Sequence, residues 1–118
     1  VNFTGGTNIA MKVPTHQWEE TVAFYRDVIG LRQLDEHLPH VVFQYGPNQL
    51  WVDCAEALSK AEIWLELIAS HVADAEPALA GAGVARRDEV EALPPGFEGF
   101  WITNSAGIIH LVAAKDAS

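Results

Sequence analysis

The sequence predicts an α+β fold made of two copies of one small unit, each a helix laid on a few short strands. Three observations carry this reading. Thr15–Leu31 has an apolar stripe at helical spacing, several short runs alternate apolar and polar with period two, and the same order of elements recurs after about 50 residues.

The helix comes first because its limits are best marked. Trp18, Val22, Tyr25 and Ile29 recur at steps of four, three and four, with Thr21 and Val28 beside them. Thr15 is expected to cap its N-terminus through the hydroxyl, Glu19 and Glu20 suit that end of the dipole, and Gly30 suits a left-handed stop. Before it, Val1–Gly6 reads as a flexible lead-in, and Thr7–Val13 reads as a strand with Ile9, Met11 and Val13 on the helix side and Asn8, Ala10 and Lys12 on the other. After it, Leu31–His37, His40–Tyr45 and Gln49–Cys54 are expected strands, the last with Leu50, Val52 and Cys54 towards the helix and Gln49, Trp51 and Asp53 away from it.

Ala55–Ala61 is a polar connector, and the order then repeats. Glu62–Leu67 alternates Ile63, Leu65 and Leu67 against Glu62, Trp64 and Glu66, and Val72–Ala82 is an alanine-rich helix whose Pro77 requires either a start near Asp74 or a kink. Val84–Arg87, Phe100–Thr103 and Ile108–Val112 are the remaining expected strands, with Asp88–Glu98 as a long loop. One domain of residues 1–118 with modules of about 7–54 and 62–113 follows.

With 49% hydrophobic and 19% charged residues the chain is a packed globular one. Seven basic residues against sixteen acidic ones give a net charge of -9, which repels nucleic acid and favours cationic ligands. No apolar run approaches the ~20 residues that span a bilayer, and no signal-peptide pattern opens the chain. The lone Cys54 cannot form an internal disulfide and reads as a core residue, so a cytoplasmic location with no membrane partner is expected.

Asn8-Ile-Ala-Met-Lys-Val-Pro14, Phe24-Tyr-Arg-Asp-Val-Ile-Gly-Leu31, Ala80-Gly-Ala-Gly-Val84 and Phe100-Trp-Ile-Thr-Asn-Ser-Ala-Gly-Ile-Ile-His-Leu-Val112 together resemble the vicinal oxygen chelate superfamily. That superfamily contains glyoxalase I, bleomycin and fosfomycin resistance proteins and extradiol dioxygenases. The resemblance implies two paired βαβββ modules whose curled mixed sheets form a cup, helices outside, with a small-molecule ligand or divalent metal within, and it implies a homodimer. Matched to the family's inward ligand positions are Asn8, Trp51, Glu62 and His110.

A catalytic ion normally takes about three protein ligands. Here Trp51 cannot ligate and Asn8 offers only a neutral amide oxygen, so Glu62 and His110 are the candidate metal ligands. Without a metal they are expected to hydrogen-bond, to each other or to a ligand; such a pair is also able to act as acid and base, and no catalytic residue is assigned. Trp51 and Trp64 are expected to line the cup, joined by Phe43, Tyr45 and Trp101 as register allows, while Lys12 and Glu66 are expected to be solvated. His16, His37, His40 and His71 are expected at the surface, the pair His37 and His40 being able to take up a stray ion. Two functions are carried forward. One is a glyoxalase/bleomycin-resistance-like binder of a small molecule, with Asn8, Trp51, Glu62, Trp64 and His110 as ligand-binding residues; the other is a divalent-metal-dependent lyase, isomerase or dioxygenase.

Overall fold

Residues 1–115 are described by a computed structural model. They divide into two compact units, Thr7–Trp64 and Val1–Gly6 together with the chain from Leu65 onward.

In the first unit, β2 (Asn8–Val13) lies between β4 (Asn48–Cys54), to which it runs parallel, and the opening of β5 (Glu62–Ala69), to which it runs antiparallel. β3 (Val42–Tyr45) pairs antiparallel with the outer side of β4. The helix α1 (Thr15–Ala23) closes a core of Val13, Val22, Phe43, Leu50 and Val52, against which Ile9, Met11, Trp18 and Tyr25 pack. Trp18 fixes the helix to the sheet by donating its indole N–H to the Val52 carbonyl at 3.0 Å.

The helix departs from expectation at both ends. Thr15 is its first helical residue and makes no side-chain cap; Pro14 stands at the N-cap, and its carbonyl accepts from Gln17 at 2.9 Å. Beyond Ala23 the chain widens into a π-helical turn, Phe24–Ile29, closed by Gly30 at φ 79°. The wider turn advances the side chains out of phase with a 3.6-residue stripe, so Val28 and Ile29 are exposed although periodicity placed them inside. The expected strand Leu31–His37 is reduced to one bridge, Gln33 to Phe43, followed by a 3₁₀ turn at Asp35–His37. Cys54 is exposed at the end of β4 rather than in the core.

The second unit repeats this plan. β5 runs parallel to β7 (Ile109–Ala113), β6 (Gly99–Thr103) pairs antiparallel with β7, and a single bridge, Arg86 to Ile102, stands where Val84–Arg87 was expected as a strand. The same vestigial bridge at the same place in both units is the clearest mark of the duplication. α2 (Val72–Gly81) covers a core of Ala69, Ala75, Phe100, Ile102 and Val112. It begins at Val72, so Pro77 falls inside it and removes one intrahelical donor. The lead-in is not loose: β1 (Phe3–Gly5) pairs antiparallel with the end of β5, and the exposure of all three of its residues explains why no alternation announced it. Among the described residues no helix is long and apolar enough to cross a membrane.

Glu66 is buried, contrary to expectation, and its backbone carbonyl accepts from Gly6 at 2.8 Å. A methyl group at Gly6 would overlap the Glu66 side chain. Gly6→Ala should therefore cost about 1–3 kcal/mol of stability, measured as a lower urea midpoint with an unchanged m-value.

Candidate functional site

Residue register in the first unit builds one chemically distinct face. Side chains alternate across a sheet, and paired residues share a side. β2 therefore turns Asn8, Ala10 and Lys12 away from α1, in register with Gln49, Trp51 and Asp53 of β4. On its other edge Ala10 faces Trp64 and Lys12 faces Glu62. The result is two rows across three strands, Trp51–Ala10–Trp64 and Asp53–Lys12–Glu62. Val42 of β3 lies beside Trp51 and is fully buried, while Phe43 belongs to the core under α1 and Tyr45 is exposed.

Both indoles are anchored by hydrogen bonds. Trp51 donates to Asn8 Oδ1 at 2.8 Å and Trp64 donates to Glu62 Oε1 at 2.9 Å. Lys12, expected in solvent, is 6% exposed; its ammonium contacts Asp53 at 3.0 Å and lies 4.5 Å from the centre of the Trp64 ring. That arrangement suits a buried cation, which needs both a counter-charge and a polarisable surface. Trp64 is itself buried, so its ring supports Lys12, whereas Trp51 remains half-exposed.

Four of the expected site residues, Asn8, Trp51, Glu62 and Trp64, thus share one face of one unit. His110 is the exception. In its own unit it pairs with Ile102 and Leu65, and Ile102 belongs with Val112 to the core beneath α2, so His110 is turned to the helix side. The position on the opposite side of β7 is Leu111, paired with Glu66 and Trp101. A slip of one residue along a strand reverses every side chain, and the turn at 104–107 hid the register. Its Nδ1 lies 3.0 Å from the Ile108 carbonyl. Trp101 is buried in that unit and donates to the Glu91 carbonyl at 2.8 Å.

Of two residues assigned to the surface, His40 is exposed as expected and His37 is half-buried, and both lie beside the first unit's face. The chain after the turn at Asp35–His37 folds back so that the rings of His37 and His40 lie 4.8 and 5.6 Å from that of Trp51. Nothing in the local sequence reports this, because a loop carries no periodicity. Lys12 and Asp53 were legible as same-face residues by alternation, but their pairing was not.

The donor set does not fit the metal that this class of fold implies. Among the described residues no group of three His, Cys, Asp or Glu is placed to hold an ion. The Asn8 amide oxygen already accepts from Trp51, and a Glu62 oxygen accepts from Trp64.

Comparison with solved structures gives the fold its context. A hypothetical protein from Bacillus halodurans C-125 superposes with a TM-score of 0.67 at 14% identity, over 100% of this chain and 98% of that one. A glyoxalase/bleomycin resistance protein/dioxygenase superfamily member from Vibrio splendidus 12B01 gives 0.57 at 9% identity, over 92% and 97%. The chain has the vicinal oxygen chelate fold. The Mn(II)-bound glyoxalase from Novosphingobium aromaticivorans, TM-score 0.57 at 25% identity, matches 94% of this chain, which spans only 38% of that one. No family model matches the sequence, and no curated protein does. Within the vicinal oxygen chelate fold, indole-based hydrogen bonds stand here at positions the resemblance matched to metal ligands.

Removing Lys12 should expose the energetics of the face. Lys12→Ala leaves Asp53 without its counter-charge, and because Asp53 is 26% exposed the loss should be about 2–3 kcal/mol rather than the ~3–5 of a fully buried pair. Urea unfolding at neutral pH measures it, and Asp53→Asn should cost less than Lys12→Ala.

Proposed function

We propose that the protein binds a planar small molecule on the face formed by Asn8, Lys12, Trp51, Asp53 and Glu62, without using a metal ion. The observation that carries the reading is Trp51, a half-exposed indole pinned by its N–H to Asn8 on the side of the sheet away from α1. An aromatic surface held in place offers stacking area at little entropic cost, and a few polar groups around it set orientation. Lys12 is outnumbered by Asp53 and Glu62, so the face has one carboxylate in excess; together with the net charge of -9 this favours a cationic ligand. Glu62 is exposed and suits the polar end of such a ligand, while Trp64 holds Lys12 in place. His110, on the helix side of β7, has no part in it.

Intrinsic fluorescence titration with proflavine, a planar aromatic cation, tests the reading. Saturable binding that weakens with salt is expected, and Trp51→Ala should weaken it about tenfold or more. Unchanged affinity in Trp51→Ala would end the proposal.

The second reading, a divalent-metal-dependent lyase, isomerase or dioxygenase, is favoured by the likeness to a Mn(II)-bound glyoxalase. The donor set argues against it. Elemental analysis after incubation with manganese, iron, nickel or zinc should give well under one ion per chain; one tightly held ion per chain would revive the enzyme reading.

A further inference from the structure

The first unit has a second open concavity, on the side of the sheet that carries α1. The π-helical turn Phe24–Ile29 builds it together with the end of β3 and the glycine that follows. Phe24, Tyr25, Ile29, Leu31, Tyr45 and Gly46 line a cavity of about 510 Å³, a size that suits a small organic molecule. Tyr25 and Leu31 pack on the core beneath α1 and form its floor, whereas Phe24, Ile29 and Tyr45 are about half exposed and stand around it. A 3.6-residue continuation of α1 would have buried Ile29; the wider turn leaves it at the rim, and such turns recur at functional sites.

The cavity continues along α1 towards a carboxylate. Gln17, Glu20 and Thr21 line the adjoining hollow, and Phe24 and Tyr25 are walls of both. Glu20 precedes Phe24 by four residues, which on a helix places it on the same side, about one 5.4 Å turn away. Its carboxylate is exposed and has no hydrogen-bonded or ionic partner among the described residues. The arginines near it in the chain leave it unneutralised. Arg26 is held by both oxygens of Asp27 at 2.9 Å. Arg32 lies opposite Gln44, and alternation turns both to the side of the sheet away from Phe43 and α1.

We propose that this groove is a second ligand site, separate from the Trp51 face, and that it takes an arylalkylamine, with an aromatic ring in the cavity and a protonated amine on a short arm beside Glu20. The apolar walls select the ring, and the unpaired carboxylate one turn along selects the charge. A second copy of the chain is the rival occupant of an exposed apolar patch. Self-association here would bring together two chains of net charge -9, each with an unpaired carboxylate at the rim of the groove. A small cation relieves that charge, whereas a like chain adds to it.

Residue-resolved NMR of the isotope-labelled chain, titrated with phenethylamine at neutral pH, tests the proposal. The backbone amides of residues 20–31 and 45–46 should shift saturably. Glu20→Gln should weaken binding about threefold and remove most of its salt dependence, as expected for one exposed charge pair. Phe24→Ala and Tyr45→Ala, both at exposed positions where truncation leaves the core intact, should each weaken it about five- to tenfold. Phenethyl alcohol, the uncharged counterpart, should bind the wild type about threefold more weakly than the amine, and hydrocinnamate, of opposite charge, should leave these amides unmoved. The absence of saturable shifts at these amides, or equal affinity for the amine and the alcohol, overturns the proposal. Movement of the same amides on dilution without ligand also overturns it, since a second copy then fills the groove. Binding at the Trp51 face is read separately, from the amides of Ala10 and Trp51, so the failure of one site is not mistaken for that of the other.

Discussion

Ala10 is hydrogen-bonded through its strand on both edges, and on each edge its neighbour is a tryptophan. This constraint organises the face. Adjacent strands lie about 4.8 Å apart, so the backbones carrying Trp51 and Trp64 are separated by about twice that, with only a methyl group between them. A larger residue at Ala10 would stand directly between the two indole-bearing positions. From either side of it, Trp51 reaches Asn8 and Trp64 reaches Glu62 and Lys12.

Two indole hydrogen bonds and one buried ion pair then divide the labour of the face. Lys12, Trp64 and the half-buried Asp53 form the buried part of the face, and the exposed Glu62 accepts from Trp64 at its edge. Trp51 is anchored at its nitrogen and half-exposed, with the His37 and His40 rings beside it. Metal-binding chemistry needs carboxylates and imidazoles whose lone pairs converge on one point. Here one oxygen at each of two matched positions, Asn8 Oδ1 and Glu62 Oε1, accepts from an indole N–H.

Much of this was legible in the chain. The period-two runs in β2, β4 and β5 assigned the correct sides to Asn8, Lys12, Trp51, Glu62 and Trp64, because alternation is a property of the extended backbone itself. Gly30 announced the end of the first helical segment through its left-handed φ. What misled was local pattern without its long-range partner. Val1–Gly6 looked like a linker since its pairing strand lies more than sixty residues away, and Val28 and Ile29 looked buried since a π-helical turn cannot be read from a 3.6-residue stripe.

The sequence by itself determined the α+β class, the duplicated order of elements and the aromatic and acidic character of one sheet face, all consequences of backbone periodicity and of side-chain type. Only the tertiary structure decided that Lys12 is buried against Asp53 and Trp64, that His37 and His40 lie on Trp51, and that His110 is turned towards α2. Those outcomes depend on strand register and on the return path of a loop. Both are set by contacts between residues far apart in the chain, where a shift of a single residue exchanges the two faces of a sheet.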